Sequence, residues 1–298
     1  MTNKKIEYTH FPCPVCNCKT YKVLYPDTLH NQSPCVDYKF SSKHNKTYRV
    51  VVCNNCKHTY CSPRPKNLWQ NYTDTKDEKY LEQKKQRIAT AYKLIKTMRK
   101  YMPQGKLLDI GCSTGDFLVI AKKYYEVEGL ELSDWAVDIA RKNGLLINKS
   151  KLESFKPESN FDIVTMWGVI EHFEFPSKEL ENINKLLKKD GFVFLWTGDQ
   201  RSWLPRLLGK NWWYFQGQHI QIYNYNSLIK LFHNNGFQKV WVGRYPYVMT
   251  MHSLSNSLMR YPLIGKILKP ILTLQLVRNL EITLRLSGEL FGIFKKMR

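Results

Sequence analysis

One short segment, residues 107–115 (LLDIGCSTG), constrains the fold of this chain more than any other. An apolar run that contains Asp109 is followed by Gly111 and Gly115, and residues 116–124 are predicted to form a helix. Glycines at these places allow positive φ and let the backbone approach a ligand closely. The pattern predicts a nucleotide-type binding turn at the end of a buried strand. Its spacing differs from that of the dinucleotide fingerprint, which seats a pyrophosphate.

Strands and helices alternate from residue 106 to about residue 248. Further buried strands are predicted over 126–132, 161–166 and 192–196, and helices over 134–143, 178–188 and 226–234. Alternation at these lengths is typical of βαβ units, in which a parallel sheet is covered by helices on both faces. The sequence therefore predicts an α/β fold for this part of the chain.

Glu131 closes the second predicted strand, 20 residues after Gly111. An acidic side chain at about this distance from a glycine turn can accept hydrogen bonds from the two hydroxyls of a ribose. Taken alone, such a residue is more often a solvated carboxylate at a strand end. Together with the turn, it favours a ligand that contains a nucleoside.

Four segments, taken in order and with their intervals, resemble class I S-adenosylmethionine-dependent methyltransferases. They are residues 107–117, residues 129–133, residues 161–164 with 169–172, and residues 186–191. The Glu171–His172 pair is similar to that of a subgroup that includes ubiquinone-type and glycan-type O-methyltransferases. The resemblance covers residues 106–248, about half the chain, and implies a Rossmann-like fold with a mostly parallel seven-stranded sheet. Ser113 departs from the pattern, since the family usually has a glycine there.

The resemblance also implies S-adenosylmethionine as the cofactor and assigns it a set of contact residues. Asp109, Gly111 and Gly115 would contact its methionine part, and Glu131 its ribose. Leu132 would cover the adenine, with Leu152 or Glu153 near the adenine amine. Met166, Trp167 and Gly168 would line the floor under the sulfonium.

Two histidines are candidates for a catalytic base. A hydroxyl acceptor benefits from a group that removes its proton as the methyl group is transferred. His172 follows the fourth strand of the resemblance, beside Glu171, but it can equally pack or cap a helix there. His219 lies in an insertion over residues 200–223, which contains an aromatic cluster at residues 212–215. This insertion is interpreted either as a lid over the pocket or as a small accessory core with a structural histidine.

Seven of the eight cysteines lie before residue 62, which favours a metal site over a disulfide framework in a chain without a visible secretory signal. Cys13 and Cys16 form one Cys-x-x-Cys pair, and Cys53 and Cys56 form a second. Two such pairs can supply four thiolates to a closed, structural Zn²⁺ site, as in a zinc ribbon. Free cysteines are the alternative. The spare cysteines are Cys18, Cys35 and Cys61 near these pairs and Cys112 in the turn.

Composition divides the chain into four predicted parts. Residues 1–65 form the zinc-ribbon-like module and residues 66–105 a helical linker, whose apolar face is predicted to carry Ile88, Tyr92, Ile95 and Met98. Residues 106–250 form the methyltransferase-like domain. Residues 251–298 are predicted to form a basic, apolar helical tail, which either lies on an anionic membrane surface or packs against protein.

The formal net charge of +21, from 46 Lys and Arg against 25 Asp and Glu, is compatible with a polyanionic partner. A lysine-rich composition without a specific partner explains it equally well. The favoured hypothesis is methylation of a sugar, a glycan precursor or a lipid-linked molecule by a cytoplasmic or peripheral membrane enzyme. The alternatives are an RNA methyltransferase, which is not favoured because the fourth strand lacks an Asn/Asp-Pro-Pro-aromatic motif, and a non-catalytic cofactor-binding subunit.

Overall fold

The computed structural model describes residues 7–30, 32, 34, 46–259 and 261–297. Its centre is a seven-stranded sheet with the strand order β10-β13-β8-β7-β4-β5-β6. The strands are β4 (Lys106–Ile110), β5 (Glu126–Leu130), β6 (Ile147–Asn148), β7 (Phe161–Trp167), β8 (Leu187–Gly198), β10 (Phe237–Gly243) and β13 (Glu289–Lys296). Neighbouring strands of this sheet are parallel, except that β13 pairs antiparallel with both β8 and β10. The predicted Rossmann-like, mostly parallel sheet is confirmed.

Helices cover both faces of this sheet because each carries one apolar stripe. On one face lie α3 (Lys84–Met98), α4 (Asp116–Ala121) and α5 (Asp134–Lys142), which contribute Leu94, Leu118 and Val137 to one core. On the other face, α6 (Pro176–Leu186) and α8 (Tyr225–Asn234) contribute Leu180 and Leu231 to a second core.

The prediction of a helical tail over residues 251–298 is wrong for its C-terminal part. Two helices, α9 (Met251–Leu258) and α10 (Pro262–Leu272), are followed by β12 (Glu281–Leu284) and by β13. The first six residues of β13 are all buried, because the strand is inserted between β8 and β10. The sheet therefore needs residues beyond 250, and the predicted domain boundary at 250 falls too early.

A second, four-stranded sheet joins the N-terminal part of the chain to the 200–223 insertion. Its order is β1-β2-β3-β9, from β1 (Tyr21–Tyr25), β2 (Val50–Cys53), β3 (Thr59–Cys61) and β9 (Gln221–Ile222). The last pairing, between β3 and β9, brings Thr59 opposite Ile222. The cysteine-rich region is thus joined by backbone hydrogen bonds to the segment that carries His219.

The aromatic residues of the 200–223 insertion form a core rather than a free lid. After α7 (Trp203–Leu208), the side chains of Trp212, Tyr214 and Phe215 are buried. They pack with Tyr48 and Val50 of the N-terminal region. Of the two interpretations, the structure favours the accessory core for these rings, because the N-terminal sheet provides the apolar surface that they need.

The predicted helical linker forms three helices, α1 (Gln70–Thr73), α2 (Glu78–Glu82) and α3. On α3 the buried face runs through Ala91, Leu94, Ile95 and Met98. Tyr92 was predicted on this face, but it is exposed because the buried stripe is centred one residue earlier.

Helices α9 and α10 lie between two short antiparallel strands, β11 (Tyr247–Thr250) and β12. In the part of the chain that the structure describes, none of the helices combines the length and apolar character required to cross a bilayer.

Candidate active site

The predicted binding turn lies between the end of β4 and the start of α4. Gly111 and Gly115 have φ values of +66° and +78°, which glycine adopts without strain. A Cβ atom on Gly115 would meet Leu145 Cδ1 and lie 3.2 Å from Ala140 Cβ, so a side chain there would require Leu145 to move. Ser113, where the resemblance expects a glycine, also has a positive φ, of +47°. The turn therefore keeps its shape at a strain cost of about 1 kcal/mol in that serine.

Glu131 holds this turn in place. Its carboxylate accepts hydrogen bonds from the backbone N–H groups of Ser113 (2.8 Å), Leu132 (2.7 Å) and Ser133 (2.9 Å). Each carboxylate oxygen can accept more than one hydrogen bond, so capacity remains for ligand hydroxyls. Glu131 thus has a structural role that the sequence did not suggest, and the predicted ribose contact is compatible with it.

Asp109 is buried in β4 and accepts a 2.7 Å hydrogen bond from Thr165 Oγ1. Burial raises the pKa of Asp109 to about 8, although the Thr165 hydrogen bond acts in the opposite direction. A carboxyl group in this state becomes charged when a cation is placed beside it. The site can therefore accept the ammonium group of an amino-acid ligand.

The predicted floor residues lie together at the end of β7. Met166 is fully buried, whereas Trp167 is half-buried and packs edge-on against Phe117. Gly168 has a φ of +72°, and a Cβ there would lie 2.7 Å from the Trp196 ring. These residues form a close-packed base beneath the turn.

The two residues predicted near an adenine amine differ in environment. Leu152 is buried, and Leu132, the residue predicted to cover the adenine, is half-buried. Glu153 is exposed and pairs with Lys178 at 3.3 Å and with Lys151 at 3.5 Å. These lysines lower the pKa of the Glu153 carboxyl. Leu152 is therefore the better placed of the two to contact an apolar ring.

A salt bridge that the sequence did not predict covers the turn from the α2–α3 side. Arg87 contacts Asp116 Oδ2 through Nε (2.8 Å) and Nη2 (2.7 Å), and its guanidinium lies 3.5 Å from the centre of the Tyr80 ring. Ser133 Oγ also donates to the carbonyl of Thr75 at 2.8 Å. Only a helical pattern was visible in this segment, because such contacts depend on how α3 docks against α4.

Several buried polar atoms near the turn have no hydrogen-bond partner among the described residues. They are Thr114 Oγ1, Asp116 Oδ1 and Trp167 Nε1. Buried polar groups in folded proteins are normally paired, so such atoms are available to a bound ligand. Together with the glycine turn and Asp109, they fit a cofactor that carries amino-acid and nucleoside parts.

Beyond the turn lies a histidine cluster, made of Glu171, His172, Tyr214 and His219. The ring centres of the two histidines are 4.9 Å apart. The buried carboxylate of Glu171 accepts hydrogen bonds from Tyr214 Oη (2.5 Å) and from Thr197 Oγ1 (3.0 Å), and burial raises its pKa. One ligand atom from each of Glu171, His172 and His219 lies within 4.8 Å of the others.

The hydrogen bonds indicate which ring nitrogen of His219 carries the proton. His219 Nδ1 lies 2.8 Å from the Tyr214 carbonyl oxygen, so it carries the proton and leaves a lone pair on Nε2. Burial, and then the neighbouring His172, lower the pKa of His219 well below its ordinary value. His172 Nδ1 contacts the Gln218 carbonyl (2.9 Å) and Tyr72 Oη (2.8 Å). His219 is therefore a neutral imidazole, which can accept a proton.

Glu289 is a buried acid that sequence reasoning missed. It begins β13, opposite Gly198, and its Oε2 atom has no hydrogen-bond partner in the described part of the chain. Burial raises its pKa to about 7, although the neighbouring Trp196 indole acts in the opposite direction. The sequence signal for this site is an acidic residue directly before the apolar run LFGIF. That run was interpreted as part of a helical tail, so Glu289 was not considered as a site residue.

The four predicted metal-ligand cysteines lie together at one end of the N-terminal sheet. Cys13 Sγ is 3.4 Å from Cys56 Sγ, Cys16 Sγ is 3.5 Å from Cys53 Sγ, and all four sulfurs lie within 4.8 Å of one another. These distances are too long for disulfide bonds. They are close to the separation of about 3.8 Å expected between thiolates bound tetrahedrally to Zn²⁺.

The two Cys-x-x-Cys pairs also share a backbone conformation. Asn17 and Lys57, each directly after the second cysteine, have φ values of +56° and +60°. Their N–H groups donate to the carbonyls of Cys13 and Cys53, at 2.8 and 3.2 Å. The spare Cys18 and Cys61 do not belong to the four-sulfur group, and Cys35 lies outside the described residues.

Curated relatives match part of the chain. An uncharacterized protein of Methanocaldococcus jannaschii is 31% identical over 115 residues, which are 38% of this chain and 54% of that protein. The ubiquinone biosynthesis O-methyltransferase of Shewanella halifaxensis is 32% identical over 115 residues, 35% of this chain and 49% of that enzyme. The matched part of this chain thus spans about half the length of these relatives.

A solved structure supports the fold, and a family model identifies the family. The S-adenosylmethionine-dependent methyltransferase of Thermotoga maritima, described as a possible histamine N-methyltransferase, superposes with a TM-score of 0.50 at 21% identity. The match covers 74% of this chain and 94% of that one, which supports the fold. The methyltransferase domain family model matches residues 75–242, more than half of the chain. The chain therefore belongs to the methyltransferase domain family.

Proposed function

We propose that this methyltransferase transfers the methyl group to a hydroxyl oxygen of a sugar, a glycan precursor or a lipid-linked molecule. The observation that carries the proposal is the geometry of His219, whose Nδ1 proton is fixed on the Tyr214 carbonyl so that Nε2 keeps a lone pair, beside Glu171 and His172. A hydroxyl must lose its proton as it is methylated, whereas an amine or thiolate acceptor does not require a base. The relatives named as ubiquinone biosynthesis O-methyltransferases support the same class of acceptor.

Bound S-adenosylmethionine supplies an electrophilic methyl group on a sulfonium. The residues proposed to hold it are Asp109, Gly111, Gly115, Glu131, Leu132, Leu152, Met166, Trp167 and Gly168, with Glu153 at the exposed edge. Asp109 would become charged beside the amino-acid ammonium, and Glu131 would add the ribose hydroxyls to its three backbone donors. The protein then contributes mainly by positioning the acceptor opposite the methyl group.

In this proposal, His219 removes the acceptor proton through Nε2. Glu171 lies close enough to His219 and His172 to stabilise the positive charge that His219 gains. His172 acts as a positioning residue, because its Nδ1 is already engaged by Gln218 and Tyr72. Glu289 is a second candidate for proton exchange, since its free oxygen and raised pKa allow it to change charge near neutral pH.

The acceptor class can be tested by incubating the full chain and labelled S-adenosylmethionine with cell extract separated into RNA, lipid and water-soluble fractions. Label is expected in the lipid or the water-soluble fraction, on an ether that resists mild alkali. Label in RNA, or on a nitrogen, would contradict the proposal. The His219→Gln variant provides the matched control for label that is transferred by other proteins.

We further propose that Cys13, Cys16, Cys53 and Cys56 bind one structural Zn²⁺. Four thiolates complete a tetrahedral shell and leave no position for substrate, so the ion would stabilise the N-terminal sheet. Metal analysis of the purified chain should give one zinc per chain, and Cys56→Ser should lose it. Cys61→Ser is the matched control and should retain zinc, because Cys61 lies outside the four-sulfur group. Folded protein without zinc would refute this proposal.

A further inference from the structure

Among the described residues, the segment between β11 and β12, residues 251–280, carries a dense group of exposed large apolar side chains and is not used by the proposed active site. We call it the 251–280 insertion. Large aliphatic side chains protrude from it into solvent, at exposed fractions from 54% to 91%. They are Leu263 (82%), Ile267 (70%), Ile271 (57%), Leu274 (56%), Leu276 (91%) and Leu280 (54%). Exposed apolar patches of this extent mark interaction sites.

The exposed residues of α10 lie on one side of the helix. Leu263, Ile267 and Ile271 follow one another at intervals of four residues, which places them on a single face. The side toward the protein carries Gly265, where a Cβ would lie 2.7 Å from the Leu258 carbonyl of α9. The helix is therefore anchored on one side by close packing and presents a continuous apolar face on the other.

All formal charges of the insertion are positive. Residues 251–280 contain no Asp or Glu, and they contain Arg260, Lys266, Lys269 and Arg278. The side chains of Lys266, Lys269 and Arg278 are exposed beside the apolar face. Apolar side chains bordered by lysine and arginine complement an anionic lipid surface, where the apolar groups enter the acyl boundary and the cations meet the headgroups.

A bilayer fits this surface better than a second copy of the chain does. Two copies that meet through the insertion would bring their cations together without an acidic partner from either insertion. At 11 residues, α10 is about 16 Å long, too short to cross the hydrocarbon core. It can therefore only lie in the plane of the interface.

The insertion is also joined to the active site. It begins after β11, whose Val248 N–H donates to Thr90 Oγ1 at 3.0 Å, and Gln86 Nε2 of α3 donates to Ser253 Oγ at 3.2 Å. It returns through β12, which leads to Glu289 of the site. Just before β11, the buried ring of Tyr245 stacks on Trp196, with centres 5.1 Å apart. A surface that holds the insertion would therefore lie near the strands that carry Trp196 and Glu289.

We propose that the 251–280 insertion docks this methyltransferase on an anionic bilayer and that the acceptor is the lipid-linked member of the proposed substrates. The second half of this inference rests on the proposed function, whereas the docking does not. In the docked state, an acceptor whose tail stays in the bilayer can present its headgroup to the side of the proposed active site that carries Glu289.

Co-sedimentation with vesicles tests the docking without cofactor or acceptor. The full chain should bind vesicles that contain phosphatidylglycerol, weakly bind vesicles of phosphatidylcholine alone, and be released by salt. The pair Ile267→Ser and Ile271→Ser should weaken binding at least about tenfold, and the pair Lys266→Gln and Lys269→Gln about twentyfold. These side chains are exposed, so circular dichroism should show unchanged folding.

Matched controls separate docking from general charge and hydrophobicity. Leu146→Ser removes an exposed leucine elsewhere, and Lys96→Gln with Lys100→Gln removes two cations from α3 and the turn that follows it; both should bind as the parent does. The docking proposal would be overturned if the control variants lost vesicle binding to the same extent, or if the parent chain did not bind anionic vesicles. So would an insertion variant that turns a dimer into a monomer while vesicle binding persists.

The acceptor class is tested separately, by methyl transfer to lipid extract in vesicles. In the insertion variants, methyl transfer to an acceptor in vesicles should fall, whereas methyl transfer to the same acceptor dispersed in detergent should stay unchanged. If the chain binds vesicles but label enters only water-soluble molecules, the proposal of a lipid-linked acceptor is wrong and the proposal of docking stands. If no fraction accepts an ether-linked methyl group, the proposed function itself fails.

Discussion

The binding turn and the histidine cluster are the two halves of the proposed site, and they are assembled in different ways. The turn uses a contiguous segment, 107–116, and is completed by Glu131, directly after the neighbouring strand β5. The histidine cluster draws Glu171 and His172 from the segment after β7 and Tyr214 and His219 from an insertion that pairs with the N-terminal sheet. The proposed cofactor half is thus built mainly from local structure, whereas the proposed acceptor half is built from distant parts of the chain.

The sharpest test of this difference is loss of the proposed zinc. In Cys56→Ser, the N-terminal sheet should lose its metal and unfold locally, because such small modules fold with their ion. The β3–β9 pairing, which supports His219, would be lost with it. We expect methyl transfer to fall below about 1% of the parent while S-adenosylmethionine still binds, measured by calorimetry and labelled transfer. Loss of cofactor binding in this variant would show that the two halves are not separate.

Gly115→Ala tests the turn. The new Cβ would meet Leu145 Cδ1 at a φ of +78°, so the leucine side chain must move and backbone strain adds to the cost. The expected cost is about 3 kcal/mol in the free energy of unfolding, together with weaker cofactor binding. Gly144→Ala is the control, since Gly144 has a φ of +70° and no atom near its Cβ position; it should cost about 1 kcal/mol. Equal costs in the two variants would contradict the packing argument.

Glu289→Gln tests the acceptor half by its pH dependence. The folded pKa of about 7 lies above the ordinary value of 4.5. Between pH 4.5 and 7, the unfolded chain releases a proton that the folded chain keeps, so Glu289 lowers stability as pH rises through this window. The variant should lack this pH dependence. Its free energy of unfolding, measured with denaturant, should rise by about 3 kcal/mol relative to that of the parent between pH 4 and pH 8. A difference that does not change with pH would refute the buried, titrating state.

Glu131→Gln should have the smallest effect of these changes. The amide retains one acceptor oxygen but loses the charge that holds three backbone N–H groups, so cofactor affinity should fall about tenfold. Glu128→Gln is matched to it, because Glu128 is an acidic residue three positions earlier in the chain, is buried, and accepts a hydrogen bond from Asn148 Nδ2 at 2.7 Å. It should lower stability but leave cofactor affinity unchanged. Equal effects on affinity would assign Glu131 a purely structural role.

Much of the cofactor half was predictable because its signals are local. Gly111 and Gly115 required positive φ, and Glu131 lay at a spacing that the fold places beside the turn. The conformation of Ser113 was not predictable, since a serine gives no local sign that it will adopt the left-handed region. The four cysteines were likewise visible from the spacing of their pairs.

The acceptor half was predicted less well because it depends on docking between distant segments. His172 and His219 were found as separate candidates, but nothing in the sequence indicated that the centres of their rings lie 4.9 Å apart. Glu289 was missed because β13 follows two apolar helices and was interpreted as their continuation. The aromatic residues of the insertion were visible, but their core required the N-terminal sheet as a partner.

The most direct test of the account is a comparison of cofactor affinity and methyl transfer in one preparation of His219→Gln. Glutamine retains a hydrogen-bonding side chain of similar size but cannot take up a proton. We expect the dissociation constant of S-adenosylmethionine to stay within about twofold of the parent's, while the rate of methyl transfer falls by a factor of about 10² to 10⁴. Transfer at the parental rate, or loss of cofactor binding, would contradict the assignment of His219 to the acceptor half.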